Sequence, residues 1–368
     1  MDRRTFLKAT GACAATTATV STAFAAGPAR GSMSGTTANT HKKNQAEPSL
    51  GAPALARDLI ELRLLMPWAD NLAGPSDQLR KLMMNLKSAS DDRIRIQIKQ
   101  THANATHAFK TGKIDLYFGP LHSLENAPKA ALYFSGLPHG GGLNAADLES
   151  WTTMTGAGLL FEELGARMGI KPLLAGHMGV QPGLWSKTPI NCMADLHGKK
   201  VALTGTPKEI ISAYGAHPAN VPLSSLGSAL ENGTIDVAEC GGYHIAMSLK
   251  LHDSATHVAK GVFNPSGTAL TLAIAGPLWK SFSKSDQAIF SACASQSYRM
   301  ALTENRALET PLGVALNRHN QVRLHTLSND KKKTWERISD AFLANISNTD
   351  DLSKRIDASY NAFQKLAV

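Results

Sequence analysis

Cysteine is scarce, with four in 368 residues at Cys13, Cys192, Cys240 and Cys293. Scattered singles do not make a disulfide framework. Aromatic residues are 6% of the chain, and its basic residues cluster only at Lys331-Lys332-Lys333. A nucleic-acid face needs a Lys/Arg stripe interleaved with aromatics. The net charge of +9 therefore reads as a solvated basic surface. No stretch after the N-terminus has the ~20 strongly apolar residues of a membrane anchor. Catalytic signatures are missing as well. The 13 histidines form no H-E-x-x-H pair, and there is no G-x-x-x-x-G-K-[ST] loop. His139-Gly140-Gly141-Gly142 resembles an oxyanion loop, but the G-x-S-x-G elbow is lacking. Gly31-Ser32-Met33-Ser34-Gly35 carries Met at the central place. These absences leave an enzyme reading without a catalytic constellation to support it. At 43% hydrophobic and 18% charged, the composition suits a globular protein long enough for two cores.

The N-terminus carries an address. Asp2-Arg3-Arg4-Thr5-Phe6-Leu7-Lys8 precedes an uncharged Ala/Thr-rich stretch that ends in Ala23-Phe24-Ala25, an A-x-A cleavage signal. This is the pattern of twin-arginine (Tat) export. The expected fate is the periplasm, with residues 1–25 removed near Ala25. Gly27 to Pro53 is Gly/Ser/Thr/Asn/Lys-rich without periodicity. Residues 26–57 accordingly read as a disordered linker.

The most informative feature of the remainder is a repeat. Ala108-Phe109-Lys110-Thr111-Gly112-Lys113-Ile114-Asp115 recurs in outline as Ala229-Leu230-Glu231-Asn232-Gly233-Thr234-Ile235-Asp236. Each copy reads as a helix end, a glycine cap and an Ile-Asp step into a buried parallel strand. Two such modules about one lobe apart predict an α/β protein with two lobes and a cleft between them. Loops at the carboxyl ends of the strands should line the cleft. Those loops are Phe118 to His122 and Glu239 to His244. Other expected strands are Glu61–Met66, Ile94–Ile98, Lys171–His177, Gly198–Leu203 and Thr268–Ile274. Ser76 is the expected N-cap of a helix bearing Leu79, Leu82, Met83 and Leu86. Asn144 to Met168 reads as one long amphipathic helix. The chain should cross between lobes near 177–183 and 265–268. That places lobe 1 at 58–178 with part of 268–310, lobe 2 at 179–267, and a C-terminal strand and helices at 311–368. Glu239, Cys240 and His244 lie close enough to suggest a soft-metal set, but the favoured reading has only Glu239 facing the cleft.

Four stretches carry a family resemblance. They are Trp68-Ala69-Asp70-Asn71-Leu72-Ala73-Gly74-Pro75, His177 through Trp185 (H-M-G-V-Q-P-G-L-W), Ile190 through Val201, and Asn232 through Glu239. Together they resemble the substrate-binding proteins of tripartite ATP-independent periplasmic (TRAP) transporters, closest to the 2-oxo acid-binding branch. The similarity runs from about Leu59 to the C-terminus, with its specific block at Trp151–Glu239. The resemblance implies a two-lobed periplasmic binding protein fold and capture of a small organic solute for a membrane permease. It implies a hard cation beside the solute, sodium or another, held by Gln181, Glu239 and the main chain of Cys240. Oxygen ligands suit such ions. Plainer roles stay open: a capped turn before Pro182 for Gln181, and a core carboxylate satisfied by backbone donors for Glu239. The expected solute wall is Trp68, Asn71, Phe118, His122, Gln181, Trp185, Gly205, Glu239, His244 and Phe263. Partners would be the solute and the permease subunits, with a homodimer left open and no nucleic acid.

The chain departs from the family at two places. Ala202 stands where the carboxylate-clamping arginine belongs, and Cys240 replaces the tryptophan after the metal-binding glutamate. An arginine fork grips a carboxylate with two parallel hydrogen bonds. If Lys200, Ala202 and Thr204 share the cleft face, Lys200 lies about 6.6 Å along the strand from Ala202. The local donors left are the amides of Gly205 and Thr206 and the helix start at Pro207. Weak binding of pyruvate and other simple 2-oxo acids follows, with a larger or less charged solute packed on Trp68, Trp185 and Phe263. The rival reading is an exported sensor or scavenger of an uncharged or apolar ligand, uncoupled from transport.

Overall fold

In a computed structural model of the chain, the described residues are 59–99, 105–137, 142–260, 267–318, 322–327 and 332–367. The export signal, the linker, Phe263 and residues 138–141 lie outside them. Two sheets organise the body from Ala56 onward. The first contains β1 (Ile60–Leu65), β2 (Ile94–Ile98), β3 (Leu116–Gly119), β4 (Ile170–His177) and β10 (Ala269–Ala275), in the order β2-β1-β3-β10-β4. The second contains β5 (Leu184–Ser186), β6 (Lys200–Ala202), β7 (His217–Ala219), β8 (Val237–Glu239), β9 (His257–Lys260) and β11 (Arg323–Thr326), in the order β11-β9-β5-β8-β6-β7. Each sheet is parallel except for one strand. β10 runs antiparallel to β3 and β4, and β5 runs antiparallel to β8 and β9. The chain enters β5 and β10 on crossing from the other sheet, between 177 and 184 and between 260 and 269, and it crosses once more before β11, which runs parallel to β9.

The two octets build the same corner twice, and their aspartates show why. Gly112 and Gly233 cap helices Ala105–Lys110 and Leu226–Glu231 at φ +63° and +76°, which glycine adopts without strain. Next, Asp115 donates its amide to the Arg63 carbonyl at 2.8 Å and accepts the Arg63 amide on Oδ2 at 2.8 Å. Asp236 does the same to Lys200, at 2.9 and 2.8 Å. Each aspartate thus fixes the register of its strand on the parallel neighbour.

Helix Pro75–Ala89 begins two residues earlier than the Ser76 cap predicts. Gly74 is its N-cap, at φ +84°, and Pro75 takes the first helical position. Proline suits that place because its missing N–H would have no partner there. The Ser76 hydroxyl instead donates to the Ala69 carbonyl at 3.0 Å. Leu79, Leu82 and Leu86 are completely buried on one face, each contributing about 2 kcal/mol. The expected long helix over 144–168 is two helices, Ala145–Met154 and Ala157–Arg167. Thr155 is extended at the break, and its hydroxyl accepts the Ala157 amide at 3.1 Å, starting the second helix.

One apolar cluster runs through both sheets, from Leu64 and Phe118 to Trp185, Ala202, Cys240 and Tyr243. A second lies behind the first sheet, where Phe134, Trp151 and Phe161 stack and the last helix, Asp351–Ala367, returns Tyr360 to accept the Leu143 amide at 2.6 Å. The 35-residue helix Lys284–Arg318 packs on β4, on helix Pro75–Ala89 and on helix Tyr243–Ser248, spanning both halves.

Candidate functional site

The site begins at the end of β4. Gln78 clamps His177 with both ends of its side chain, Nε2 donating to the carbonyl and Oε1 accepting the amide, each at 2.9 Å. Asn305 of the long helix adds a donor to the same carbonyl at 3.3 Å. Beyond His177 the crossing segment is tied to the second sheet, with Gly242 donating to the Met178 carbonyl at 2.8 Å. Gly179 and Gly183 have φ of +82° and +147°. A Cβ on Gly183 would collide with the Ala259 carbonyl, and one on Gly179 would sit 3.1 Å from the His244 ring. The glycines of M-G-V-Q-P-G thus serve a tight passage that aims Gln181 inward. Gln181 is 7% exposed, its Nε2 lies 3.4 Å from Thr204 Oγ1, and its Oε1 is buried without a partner.

Glu239 ends β8 and is 1% exposed. Its Oε2 accepts the amides of Thr204, Gly205 and Thr206, each at 2.9 Å, and its Oε1 accepts the Thr206 hydroxyl at 2.5 Å. Converging donors of this kind satisfy a buried carboxylate. The plain role left open for Glu239, a core carboxylate on backbone donors, is therefore filled. It carries a correction. The Gly205 and Thr206 amides expected to await a solute anion are already taken.

The expected strand face also fails. β6 ends at Ala202, so alternation does not extend to Thr204. Ala202 is 1% exposed inside the shared cluster with Trp185, Cys240 and Tyr243, while Lys200 is exposed at the far end of the strand. Trp185 is fully buried, its ring 6.4 Å from Tyr243. Its indole N–H nevertheless has no acceptor.

Trp68 packs edge-on against buried Phe118 at 6.2 Å, its N–H also without acceptor. Asn71 is solvent-exposed on the same loop. His122 lines a cavity of about 640 Å³ with Lys129, Thr204, Gly205, Lys208 and Phe342. Its Nδ1 is buried without a partner, and burial pushes its pKa down to about 4, so the ring is neutral. Across this cavity Lys129 reaches Glu209 at 3.4 Å and lies over the Phe342 ring. His244 places Nδ1 3.0 Å from Glu309 Oε1, while Glu309 Oε2 accepts the Tyr243 amide at 3.0 Å. Its Nε2 has no partner and faces Gly74, where a Cβ would stand 2.5 Å away. Sequence reasoning missed Glu309, Gln78 and Asn305, which sit on helices far from the motifs they serve. The Cys240 thiol is buried, which pushes its pKa up and keeps it neutral.

Among the described residues, no three His, Cys, Asp or Glu side chains gather as a metal set. The Glu239-Cys240-His244 grouping is divided, with His244 on Glu309, Glu239 on the loop amides and Cys240 in the core. What remains is hard-oxygen chemistry: the unpartnered Gln181 Oε1 and a Glu239 Oε1 engaged by one hydroxyl.

Two sheets joined by crossing segments, with buried polar atoms awaiting partners between them, define a two-lobed binding protein. Residues 103–350 match the family described as bacterial extracellular solute-binding protein, family 7, and residues 1–20 match the twin-arginine translocation signal sequence. The chain belongs to that solute-binding family, a class of binding proteins and not enzymes, and carries an export signal. It is 28% identical over 228 residues to the monocarboxylate 2-oxoacid-binding periplasmic protein of Nostoc sp., and the match spans 61% of each chain. Similar folds include TRAP solute-binding proteins from Bordetella bronchiseptica, with calcium and picolinate, and Pseudoalteromonas atlantica, with sodium and pyruvate. Identities are 21% and 24%, and the TM-score is 0.77 for both. Each covers 84% of this chain, and 93% and 95% of the relative.

Proposed function

We propose that the chain is the periplasmic solute-capturing component of a TRAP transport system, which binds a small organic acid with a hard cation and delivers it to the permease subunits. The cation would be held by Gln181 Oε1, Glu239 Oε1 and the Cys240 carbonyl, and it would supply the positive charge that Ala202 does not. The observation that carries this reading is Gln181 Oε1. It is a buried oxygen without a donor, and its own amide contacts Thr204, the residue whose N–H holds Glu239. A buried acceptor left unmade costs about 1–3 kcal/mol, which a cation offsets. Trp68, Asn71, Phe118, His122, Trp185, Gly205, His244 and Phe263 complete the proposed solute shell. The unpartnered N–H groups of Trp68 and Trp185 favour a solute rich in oxygen acceptors. Without an arginine fork, pyruvate and other simple 2-oxo acids bind weakly. The uncoupled sensor reading has no observation in its favour and is not pursued.

The test is calorimetry on the mature protein with a panel of small carboxylates in sodium, in calcium and in metal-free buffer. It is preceded by mass spectrometry of co-purified solute. Cation-dependent binding of one panel member supports the reading, and solute binding indifferent to thorough metal removal overturns its cation part. Removal of the signal near Ala25 is read from the N-terminal mass. Self-association, proposed from the dimer of the Bordetella relative, is read by light scattering, and a monomeric mass removes it.

A further inference from the structure

Three consecutive amides, of Thr204, Gly205 and Thr206, converge on a single oxygen, and the Thr206 hydroxyl takes the other oxygen of the same carboxyl group. Such a concave run of N–H groups is a carboxylate receptor. Here the carboxylate belongs to the chain itself, delivered by β8 more than thirty residues further on. The receptor loop also lines the 640 Å³ cavity shared with His122 and Lys129. A solute carboxylate seeking the same donors would find them occupied by Glu239.

We propose that Glu239 is an internal stand-in for a ligand carboxylate: it fills the Thr204–Thr206 receptor, bars solute anions from it, and makes Glu239 a specificity-determining residue. The inference rests on the solute-binding reading for its purpose but not for its test. Removing the side chain should convert the closed receptor into a site for a small external carboxylate.

The probe is acetate, with chloride as control, and neither solute, cation nor permease is needed. Glu239→Ala is expected to melt well below the unmodified protein and to recover part of that loss in about 100 mM acetate, since a ligand that binds only the folded state raises its midpoint. Its acetate affinity should exceed that of the unmodified protein by at least about tenfold. The amide resonances of Thr204, Gly205 and Thr206 should move on mutation and return toward their original positions with acetate. Glu239→Gln, which keeps an acceptor in the receptor, should ignore acetate. If Glu239→Ala is unfolded alone, refolding with acetate supports the proposal and failure to refold overturns it. A folded Glu239→Ala that gives no acetate shift in melting or in those amides overturns it as well. So does equal acetate stabilisation of the unmodified protein. None of these outcomes bears on transport, so failure here leaves the solute-binding reading standing.

Discussion

Replacing Gln78 by Leu should loosen the passage that aims Gln181 at its neighbours. The side chain is 3% exposed and makes two hydrogen bonds of 2.9 Å to the backbone of His177. Leucine fills similar space but deprives the buried His177 amide of this acceptor, at about 1–3 kcal/mol. The carbonyl keeps Asn305 at 3.3 Å, so its loss is smaller, about 1 kcal/mol. The sum is about 2–4 kcal/mol. The compact body runs from Ala56 to Val368. At ~2.1 cal/mol/K per residue, roughly 310 residues give an unfolding entropy near 0.65 kcal/mol/K. The melting temperature should therefore fall by about 3–6 °C. Calorimetric melting measures the shift, and a cycle with Asn305→Ala tests the cause. Both side chains donate to the same carbonyl, so the double loss should exceed the sum of the single losses by at least about 0.5 kcal/mol. A shift under about 1 °C, or strict additivity, would refute the clamp.

Four further outcomes are expected. His122 is held neutral by burial, with its pKa pushed from 6.5 to about 4. The unfolded chain therefore binds the extra proton between those values, and stability is whole above pH 6.5 and erodes toward pH 4 by up to ~1.4 kcal/mol per unit; His122→Gln should flatten that limb in pH-dependent denaturation, and an unchanged slope counts against it. Ala202→Arg buries a guanidinium in the cluster of Trp185, Cys240 and Tyr243, so it should destabilise by about 3 kcal/mol and create no tight pyruvate site, as denaturant titration and calorimetry will read. Asp236→Ala removes the acceptor of the Lys200 amide and should cost about 1–2 kcal/mol by denaturant titration, with wild-type stability the refuting result. Lysine at both Arg3 and Arg4 should leave precursor in the cytoplasm by cell fractionation, and normal periplasmic levels would disprove the Tat assignment.

Local chemistry was readable wherever a short segment decides it. The glycine caps, the Ile-Asp steps and the alternating isoleucines of β2 place strands beside helices without reference to anything distant. The break at Thr155–Gly156 escaped because the apolar spacing continues through it, and only the Thr155 hydroxyl reveals a new helix start. The Ser76 cap failed for the opposite reason, since Pro75 takes the first helical position and moves the cap two residues earlier, to Gly74. At the site, Gln181 and Glu239 could be picked out by resemblance, but what they touch could not. Glu239 meets amides from another strand's loop, and His244 meets Glu309 across 65 residues. Backbone amides leave no mark in a sequence, so the satisfied state of Glu239 was one of two open readings until the loop was placed.

The two places where the resemblance breaks meet in the structure. Ala202 and Cys240 lie in the same buried cluster, with Trp185 and Tyr243 between the sheets. An arginine at 202 would be a buried cation whenever no solute anion is present, and an uncompensated charge there is costly. Alanine removes that cost, and a small residue at 240 lets the cluster close without a second indole. Glu239 takes its hydrogen bonds from neutral donors, the three amides and the Thr206 hydroxyl. The buried Glu239 carboxylate accepts four hydrogen bonds, and Gln181 reaches the same loop through Nε2 on Thr204 while its Oε1 has no partner. Such a pair attracts a cation before it attracts an anion. On the proposed function, recognition of an organic acid would run through the ion, and selectivity among acids would fall to the apolar and indole surfaces at Trp68 and Phe118.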